Sequence, residues 1–170
     1  GSSLGEMVAN LSANKRGWED RVENFSAIAN KIDEIRKELL FLVDEDSNSF
    51  DRIMASFKLP NNSKEEKKIR LKAIYDSSIY AAEVPLRVMN TSYDSYKLIF
   101  ELAKNGNQNS ISDAGVACLC IHAAIYGAYL NVKINLKDIS NDQGILKKAD
   151  QIIKKSSFER DKILSFIEKV

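Results

Sequence analysis

Four polar side chains stand out: the carboxylates Asp46 and Asp113, which could transfer protons, and the amides Asn131 and Asn135, which could orient a ligand. A carboxylate can accept a proton and return it to a second atom of the same substrate. An amide donates and accepts hydrogen bonds at once, so it can orient a bound polar group. Together these groups could form a site for a polar ligand.

Asp46 interrupts a regular helical spacing of apolar residues that runs over positions 18–57. Its neighbours four and seven residues further on are Phe50 and Ile53, so the pattern places it on a core stripe. A carboxylate there must be paired, hydrogen-bonded or functional, and burial generally moves a carboxyl pKa towards neutrality. Alternatively, the helix breaks over residues 44–47 and Asp46 caps the next one. The residues alone leave both readings open.

Asp113 opens a long segment of small and apolar residues within positions 104–136. Ser110 or Ser112 can cap this helix, and Asp113 lies in its first turn, where the helix dipole favours negative charge. One face of the helix carries Asp113, Ala117, Cys120, Ala124, Gly127 and Asn131. Either this face packs closely against another helix and Asp113 only caps, or it forms the wall of a polar site.

Lys15 and Arg16 occupy a break after the first apolar helix. The simplest interpretation is a solvated turn. The functional alternative is contact with an anionic group, because loop cations are common partners of carboxylates.

Composition sets the broad class. A chain of 170 residues suits a single domain with a sizeable core. Seven Gly and two Pro are few, which favours long helices over a sheet with many turns. A net charge of +1 gives no field to recruit nucleic acid, and we expect no membrane span. Cys118 and Cys120 point apart on a helix, so we expect buried free thiols in a reducing, cytoplasmic setting.

The elements that must position these groups are all helical. Apolar positions predict helices over residues 1–13, 18–57 and 142–170, and the first of these begins without a cap. Ser63 opens another helix that contains Pro85, where we expect a kink near Ala81 and freed carbonyls that can face a ligand. The fold prediction is an all-α antiparallel bundle of about six to eight helices, with one long helix and one proline-kinked helix.

Several separate stretches, in order, resemble one family. They are LVDEDSNSF, FKLPNNSKEEKKIR, EVPL, SDAGVA and GAYLNVKINLKDI. The sequence is similar in them to the cyclodeaminase/cyclohydrolase family, which includes the C-terminal domain of formiminotransferase-cyclodeaminase and methenyltetrahydrofolate cyclohydrolase. The resemblance runs from residue 1 to about residue 139. It implies a single domain over residues 1–170 from which an N-terminal glycine-rich segment is missing.

The resemblance implies one-carbon folate chemistry on a tetrahydrofolate substrate, with no metal and no redox cofactor. Asp44, Asp46 and Phe50 match the family's DxD-x₃-F pattern. We expect Asp113 to be the main acid and base and Asp46 to be its partner or the anchor of the pterin ring. Asn131 and Asn135 would orient the reacting nitrogens.

The remaining site expectations concern the ends of the substrate. Lys15 and Arg16 would bind the glutamate tail, and Ser112 would contact the substrate beside Asp113. The stretch ANLSANKRGW favours formimidoyltetrahydrofolate cyclodeaminase. The alternatives are a methenyltetrahydrofolate cyclohydrolase and a non-catalytic helical folate-binding module.

The expected partners are a second copy of the chain and a glutamate formiminotransferase. In a straight helix Asp113 and Asn131 are too far apart for one small ligand. An antiparallel two-fold contact between these helices would bring Asp113 of one subunit near Asn131 of the other. We therefore expect a homodimer with shared sites.

Overall fold

The computed structural model describes residues 1–170 and contains five α-helices and no strand. The helices are α1 (Ser2–Ala13), α2 (Val22–Phe57), α3 (Lys64–Asn105), α4 (Ile111–Asn135) and α5 (Ile145–Ile167). Single 3-10 turns, Glu19–Arg21 and Gln108–Ser110, lead into α2 and α4. The all-α prediction is confirmed. The expected count of six to eight helices is too high, because two of the helices are very long.

Both long helices pass through positions where the sequence suggested a break or bend. Helix α2 is continuous for 36 residues, so residues 44–47 do not end it and Asp46 caps nothing. Helix α3 is continuous for 42 residues and holds Pro85 inside it. Since Pro85 has no N–H, the carbonyl of Ala81 four residues earlier loses its helical partner.

The caps follow local chemistry. The Ser63 side chain accepts from the backbone N–H of Glu66, whose carboxylate accepts from the backbone N–H of Ser63, as the predicted capping box requires. Ser110 takes the N-cap position of α4 without a side-chain cap bond, and Ser112 lies exposed within the first turn. The expectation that one of these serine hydroxyls caps α4 is therefore wrong.

Consecutive long helices run antiparallel. Tyr80 of α3 donates to Glu45 of α2, and Arg87, further along α3, donates to Glu38, which lies earlier in α2. In the same way Tyr129 of α4 donates to Asp150 of α5 at 2.8 Å, and His122, earlier in α4, contacts Ser156, later in α5.

Helices α2 and α4 both pack on α3 but hardly on each other. Helix α1 fills the space between them at one end, where Gly1 meets Ile121 of α4. Towards the other end, the space between α2 and α4 stays open.

Cys118 is buried and Cys120 is exposed, and neither forms a disulfide. The expectation of two buried thiols is wrong for Cys120. Positions two apart on a helix point in different directions, and only the Cys118 side of α4 faces the core.

The expectation that no segment is apolar enough to cross a membrane is also wrong, judged by length and composition. The helical segment Gln108–Asn135 meets both criteria, and 39% of its most apolar window is buried inside the chain. The core helix of a globular bundle meets the same criteria, so one such segment is only a weak indication of a membrane span. Helix α4 packs against α1, α3 and α5 and leaves an apolar stripe facing outward.

Candidate functional site

An open cleft of about 490 Å³ lies between α2 and α4. Its lining consists of Leu39, Leu42, Val43, Asp46 and Ser47 from α2, Pro85, Val88 and Ser92 from α3, and Ala124, Gly127, Ala128 and Asn131 from α4. The α4 side chains in it are small, so this helix leaves room where a larger side chain would reach across to α2. The volume lies in the range of small-molecule sites, and mostly apolar walls with a few polar groups are typical of them.

A smaller cavity of about 90 Å³ adjoins the cleft, since Asp46 and Asn131 line both. Its other lining residues are Ser49, Phe50, Ile53, Ala81 and Asn135. Asn135 therefore lies behind Asn131, at the C-terminal end of α4. Three of the side chains singled out in the sequence, Asp46, Asn131 and Asn135, meet at this point of the fold.

Asp46 is exposed, which corrects the expectation that it lies on a core stripe. The buried positions of α2 nearest to it are Leu42 and Ser49, and its own direction points to the edge of the cleft. The desolvation expected for a buried carboxylate is thus absent in the single chain. Only a bound ligand or a second protein surface can exclude water from this group.

The two asparagines are held by a backbone carbonyl. The Asn135 side-chain amide donates to the Ala81 carbonyl at 2.7 Å and to Asn131 Oδ1 at 3.3 Å. The Ala81 carbonyl is the one that Pro85 leaves without its helical partner. The expectation of a freed carbonyl near Ala81 is confirmed, but this carbonyl bonds to Asn135 rather than facing a ligand directly.

Asp113, Ser112, Lys15 and Arg16 line neither cavity. Asp113 precedes Asn131 by 18 residues of a continuous helix, which is about 27 Å at 1.5 Å per residue. Ser112 and Asp113 therefore lie far from the cleft, at the N-terminal end of α4. Lys15 lies with its ammonium 4.0 Å from the centre of the Trp18 ring, in the turn after α1.

Ser12 connects the turn after α1 to the loop before α4. At the end of α1 its hydroxyl accepts from the backbone N–H of Asn107 at 2.9 Å, and it donates to the carbonyl of Val8 at 2.8 Å. This contact fastens the turn that carries Lys15 to the loop that leads into α4. The predicted site residues thus fall into a cleft group and an end group, the latter being Lys15, Arg16, Ser112 and Asp113.

Two residues of the cleft, Ser92 and Ser47, were not predicted from the sequence. The hydroxyl of Ser92 is buried and has no hydrogen-bond partner in the chain. Pro85, Val88 and Ser92 follow the spacing i, i+3, i+7, so they share the face of α3 that forms the floor of the cleft. The spacing of Ser92 from Pro85 could have placed it on the same face of α3 from the sequence alone. Ser47 directly follows Asp46, and its hydroxyl donates to the Val43 carbonyl at 3.3 Å.

His122 lies outside the cleft, against α5. Its ring contacts Ser156 Oγ and Arg160 Nη1 at 2.9 and 2.7 Å. Ser156 in turn lies 2.8 Å from the buried Tyr96 hydroxyl. Burial raises the pKa of Tyr96 to about 12, so this hydroxyl stays protonated. The network joins α3, α4 and α5, and we interpret His122 as a structural residue.

No group of three His, Cys, Asp or Glu side chains converges as a metal site would require.

Comparison with known proteins gives the chain its relatives. The family model described as formiminotransferase-cyclodeaminase matches residues 1–155. The methenyltetrahydrofolate cyclohydrolase of Methylorubrum extorquens is 33% identical over 141 residues, which cover 83% of this chain and 68% of that protein.

The formimidoyltransferase-cyclodeaminase of Gallus gallus is 35% identical over 146 residues, which cover 84% of this chain. The matched region spans 26% of the length of that relative. Among solved structures, the formiminotetrahydrofolate cyclodeaminase from Thermotoga maritima superposes with a TM-score of 0.78 at 28% identity. That match covers 99% of this chain and 79% of the other.

Proposed function

The chain belongs to the formiminotransferase-cyclodeaminase family and is an enzyme of one-carbon folate metabolism. We propose that it catalyses the reaction of formimidoyltetrahydrofolate cyclodeaminase. The substrate would be 5-formiminotetrahydrofolate, and the products would be 5,10-methenyltetrahydrofolate and ammonia. The name of the structural relative from Thermotoga maritima supports this choice.

Written from the protonated formimino group, N5–CH=NH₂⁺, the reaction needs one proton to move from N10 to the terminal nitrogen, and the positive charge stays on the 5,10-methenyl product. N10 attacks the formimino carbon on N5, and a new N10–carbon bond forms to give a tetrahedral centre. The bond from that carbon to the terminal nitrogen then breaks. The proton that N10 loses goes to this leaving nitrogen, which departs as ammonia. One carboxylate can therefore serve as base in the first half and as acid in the second.

Asp46 is the carboxylate that the cleft itself offers for this step. It lies at the edge of the cleft beside Asn131, whose amide can fix the orientation of a bound nitrogen group. The walls contributed by Leu39, Leu42 and Val88 suit the flat rings of a folate. Asp46 and Asn131 meet at the cleft, with Asn135 behind them in the adjoining cavity, and this convergence is the observation that carries the proposal.

A second copy of the chain would supply the end group. Helix α4 exposes an apolar stripe along its length, formed by Val116, Leu119, Tyr126, Leu130 and Ile134. Each of these side chains is between 43% and 71% exposed in the single chain. Such a continuous apolar surface is uncommon on a free monomer and is a frequent mark of an interface.

An antiparallel two-fold contact through this stripe would explain why the predicted site residues lie at two ends of α4. It would place Asp113, Ser112, Lys15 and Arg16 of one subunit towards the cleft of the other, and the symmetry would repeat this at the second site. The partner's surface would also exclude water from Asp46. We therefore propose a homodimer in which Asp113 acts in trans as a second acid–base group and Ser112 as a substrate contact.

The reaction is decided by offering the purified protein both 5-formiminotetrahydrofolate and 5,10-methenyltetrahydrofolate. Ammonia release with growth of the methenyl absorbance identifies the cyclodeaminase. Loss of methenyl absorbance above the spontaneous rate, without action on the formimino compound, identifies the cyclohydrolase. Binding of both compounds without turnover of either would support a non-catalytic folate-binding module and overturn the proposal.

The cyclohydrolase remains the second candidate because the Methylorubrum extorquens relative carries that name. In that reaction water adds to the methenyl carbon, and the ring opens to 10-formyltetrahydrofolate. A glutamate formiminotransferase is the proposed partner if the cyclodeaminase assignment holds, because it would supply the formimino substrate. Co-purification of the two proteins from cells, with the Asp46→Asn variant as control for dependence on turnover, tests that partnership.

A further inference from the structure

Pro85 lies in the middle of α3, where a proline costs a helix one hydrogen bond. The bond lost is the one to the carbonyl of Ala81, a residue that is 2% exposed. A buried carbonyl without a partner is unfavourable, so this position needs a donor from elsewhere. The donor comes from the last turn of α4, where the Asn135 amide reaches it at 2.7 Å.

This contact fixes which way the Asn135 amide points. A backbone carbonyl can only accept, so the nitrogen of Asn135 must face Ala81. The same nitrogen lies 3.3 Å from Asn131 Oδ1, so its second proton meets the oxygen of Asn131. The Asn131 amide is thereby oriented as well, with its oxygen towards Asn135 and its nitrogen turned away.

The orientation matters because Asn131 lines the main cleft and Asn135 does not. In this arrangement Asn131 offers N–H donors from a cleft wall that it shares with the carboxylate of Asp46, which accepts. If the Asn131 amide were reversed, it would present its oxygen, an acceptor, to a cleft that the acceptor carboxylate of Asp46 also lines. The site would then lose its donor.

We propose that Pro85 and Asn135 are positioning residues that set the polarity of the cleft. Pro85 releases the Ala81 carbonyl, the carbonyl orients Asn135, and Asn135 orients Asn131 so that its N–H groups face the substrate beside Asp46. For the proton transfer itself this inference rests on the proposed folate reaction. The hydrogen-bond relay can be tested without it.

Two substitutions at Asn135 test whether its side chain orients the Asn131 amide or only fills space. Asn135→Ala removes the donor and leaves the Asn131 amide free to take either orientation. Asn135→Asp is isosteric, but its carboxylate can only accept, so it pulls the Asn131 nitrogen inward and turns the oxygen to the cleft. We expect kcat to fall in the order wild type, Asn135→Ala, Asn135→Asp, with a loss of about tenfold or more for the last. If Asn135 only filled space, the alanine variant would be the worse of the two, and that result would overturn the proposal.

Pro85→Ala tests the start of the relay. The new N–H at position 85 can bond to the Ala81 carbonyl and compete with Asn135, while the helix gains a better helix former. We expect a lower kcat with little change in KM, although stability to urea stays equal or increases. Pro60→Ala, at the only other proline, in the exposed loop before α3, is the matched control and should change neither.

Side-chain amide signals in ¹⁵N NMR spectra give the readout that does not depend on turnover. In Pro85→Ala the Asn135 and Asn131 amide signals should both shift, and in Pro60→Ala neither should. If wild type turns over no folate but these shifts appear, the proposed function fails and the relay stands. If wild type is active, and Pro85→Ala keeps both full kcat and unshifted Asn131 signals, the relay is wrong.

Discussion

Arg160 Nη1 lies 2.7 Å from His122 Nε2. A guanidinium can only donate, so this ring nitrogen must be unprotonated, and the proton of the neutral ring is on Nδ1, facing Ser156 Oγ. Burial, and then the positive charge of Arg160, lower the pKa of His122, while Asp161 acts weakly in the opposite direction. The network that joins α4 to α5 is therefore built around a neutral imidazole.

The first prediction is a loss of stability in mild acid. His122 has a lowered pKa in the folded state and an ordinary value of about 6.5 in the unfolded chain. As the pH falls below about 6.5, His122 becomes protonated in the unfolded chain but stays neutral in the folded protein. The free energy of unfolding therefore decreases. Urea unfolding at pH 7.5 and pH 5.5 should show this decrease. His122 is the only histidine, so His122→Gln should flatten the dependence. An equal slope in both proteins would contradict the role of His122.

Asp46→Asn is predicted to lower kcat by about 10² to 10⁴, the usual contribution of a group that transfers protons. Because Asp46 is exposed, urea stability should change by less than about 0.5 kcal/mol. Asp51→Asn is the matched control, since Asp51 is an exposed carboxylate of α2 that lines neither cavity. Turnover of Asp46→Asn within a few-fold of wild type would remove Asp46 from the mechanism.

Ser12→Ala is predicted to destabilise the fold by about 1 kcal/mol or more, the cost of leaving a partly buried donor without its acceptor. The unpaired group would be the backbone N–H of Asn107, which now donates to the Ser12 hydroxyl at 2.9 Å. Ser3→Ala changes an exposed serine of the same helix and should stay within about 0.5 kcal/mol of wild type. Urea unfolding of the two variants makes the comparison, and equal stabilities would refute the structural role of Ser12.

Replacement of both Lys15 and Arg16 by Gln is predicted to raise KM more for polyglutamylated than for monoglutamylated substrate. Arg16 is exposed and Lys15 is partly exposed, so the attraction acts through solvent and added salt should reduce the difference. Lys154 and Lys155, exposed on α5, provide a control pair with the same change in net charge. An equal rise in KM for the two substrates would show that the end group does not bind the tail.

The shared site predicts rescue between two inactive variants. Heterodimers of Asp113→Ala and Asn131→Ala subunits, purified through two different tags, would contain one intact site and one doubly damaged site. They should recover about half of the wild-type activity. Heterodimers of wild type with the double variant Asp113→Ala/Asn131→Ala should have almost none, since both of their sites are damaged. If the first heterodimer is as inactive as its parents, the sites are not shared.

Local pattern predicted most of the secondary structure. Apolar spacing identified α1, α4 and α5, and the Ser63–Glu66 capping box marked the start of α3 correctly, because these signals depend on neighbours within one or two turns. The count of helices was too high, and the pattern left open whether α2 breaks over residues 44–47. Packing of α2 along α3 keeps the helix intact across that acidic stretch.

Some features of the candidate site were predictable from residue types, and others depend on the tertiary structure. The sequence singled out Asp46, Asp113, Asn131 and Asn135, and the family resemblance suggested their acid–base and orienting roles. The sequence also predicted a freed carbonyl near Ala81, because proline removes that bond wherever it stands. Only the tertiary structure decided that the Asn135 amide bonds to this carbonyl and that Asp46 is exposed at a cleft. Periodicity gives the direction of a side chain around its own helix. Which groups meet across helices depends on how α2 and α4 pack on α3, and that arrangement is set by the whole core.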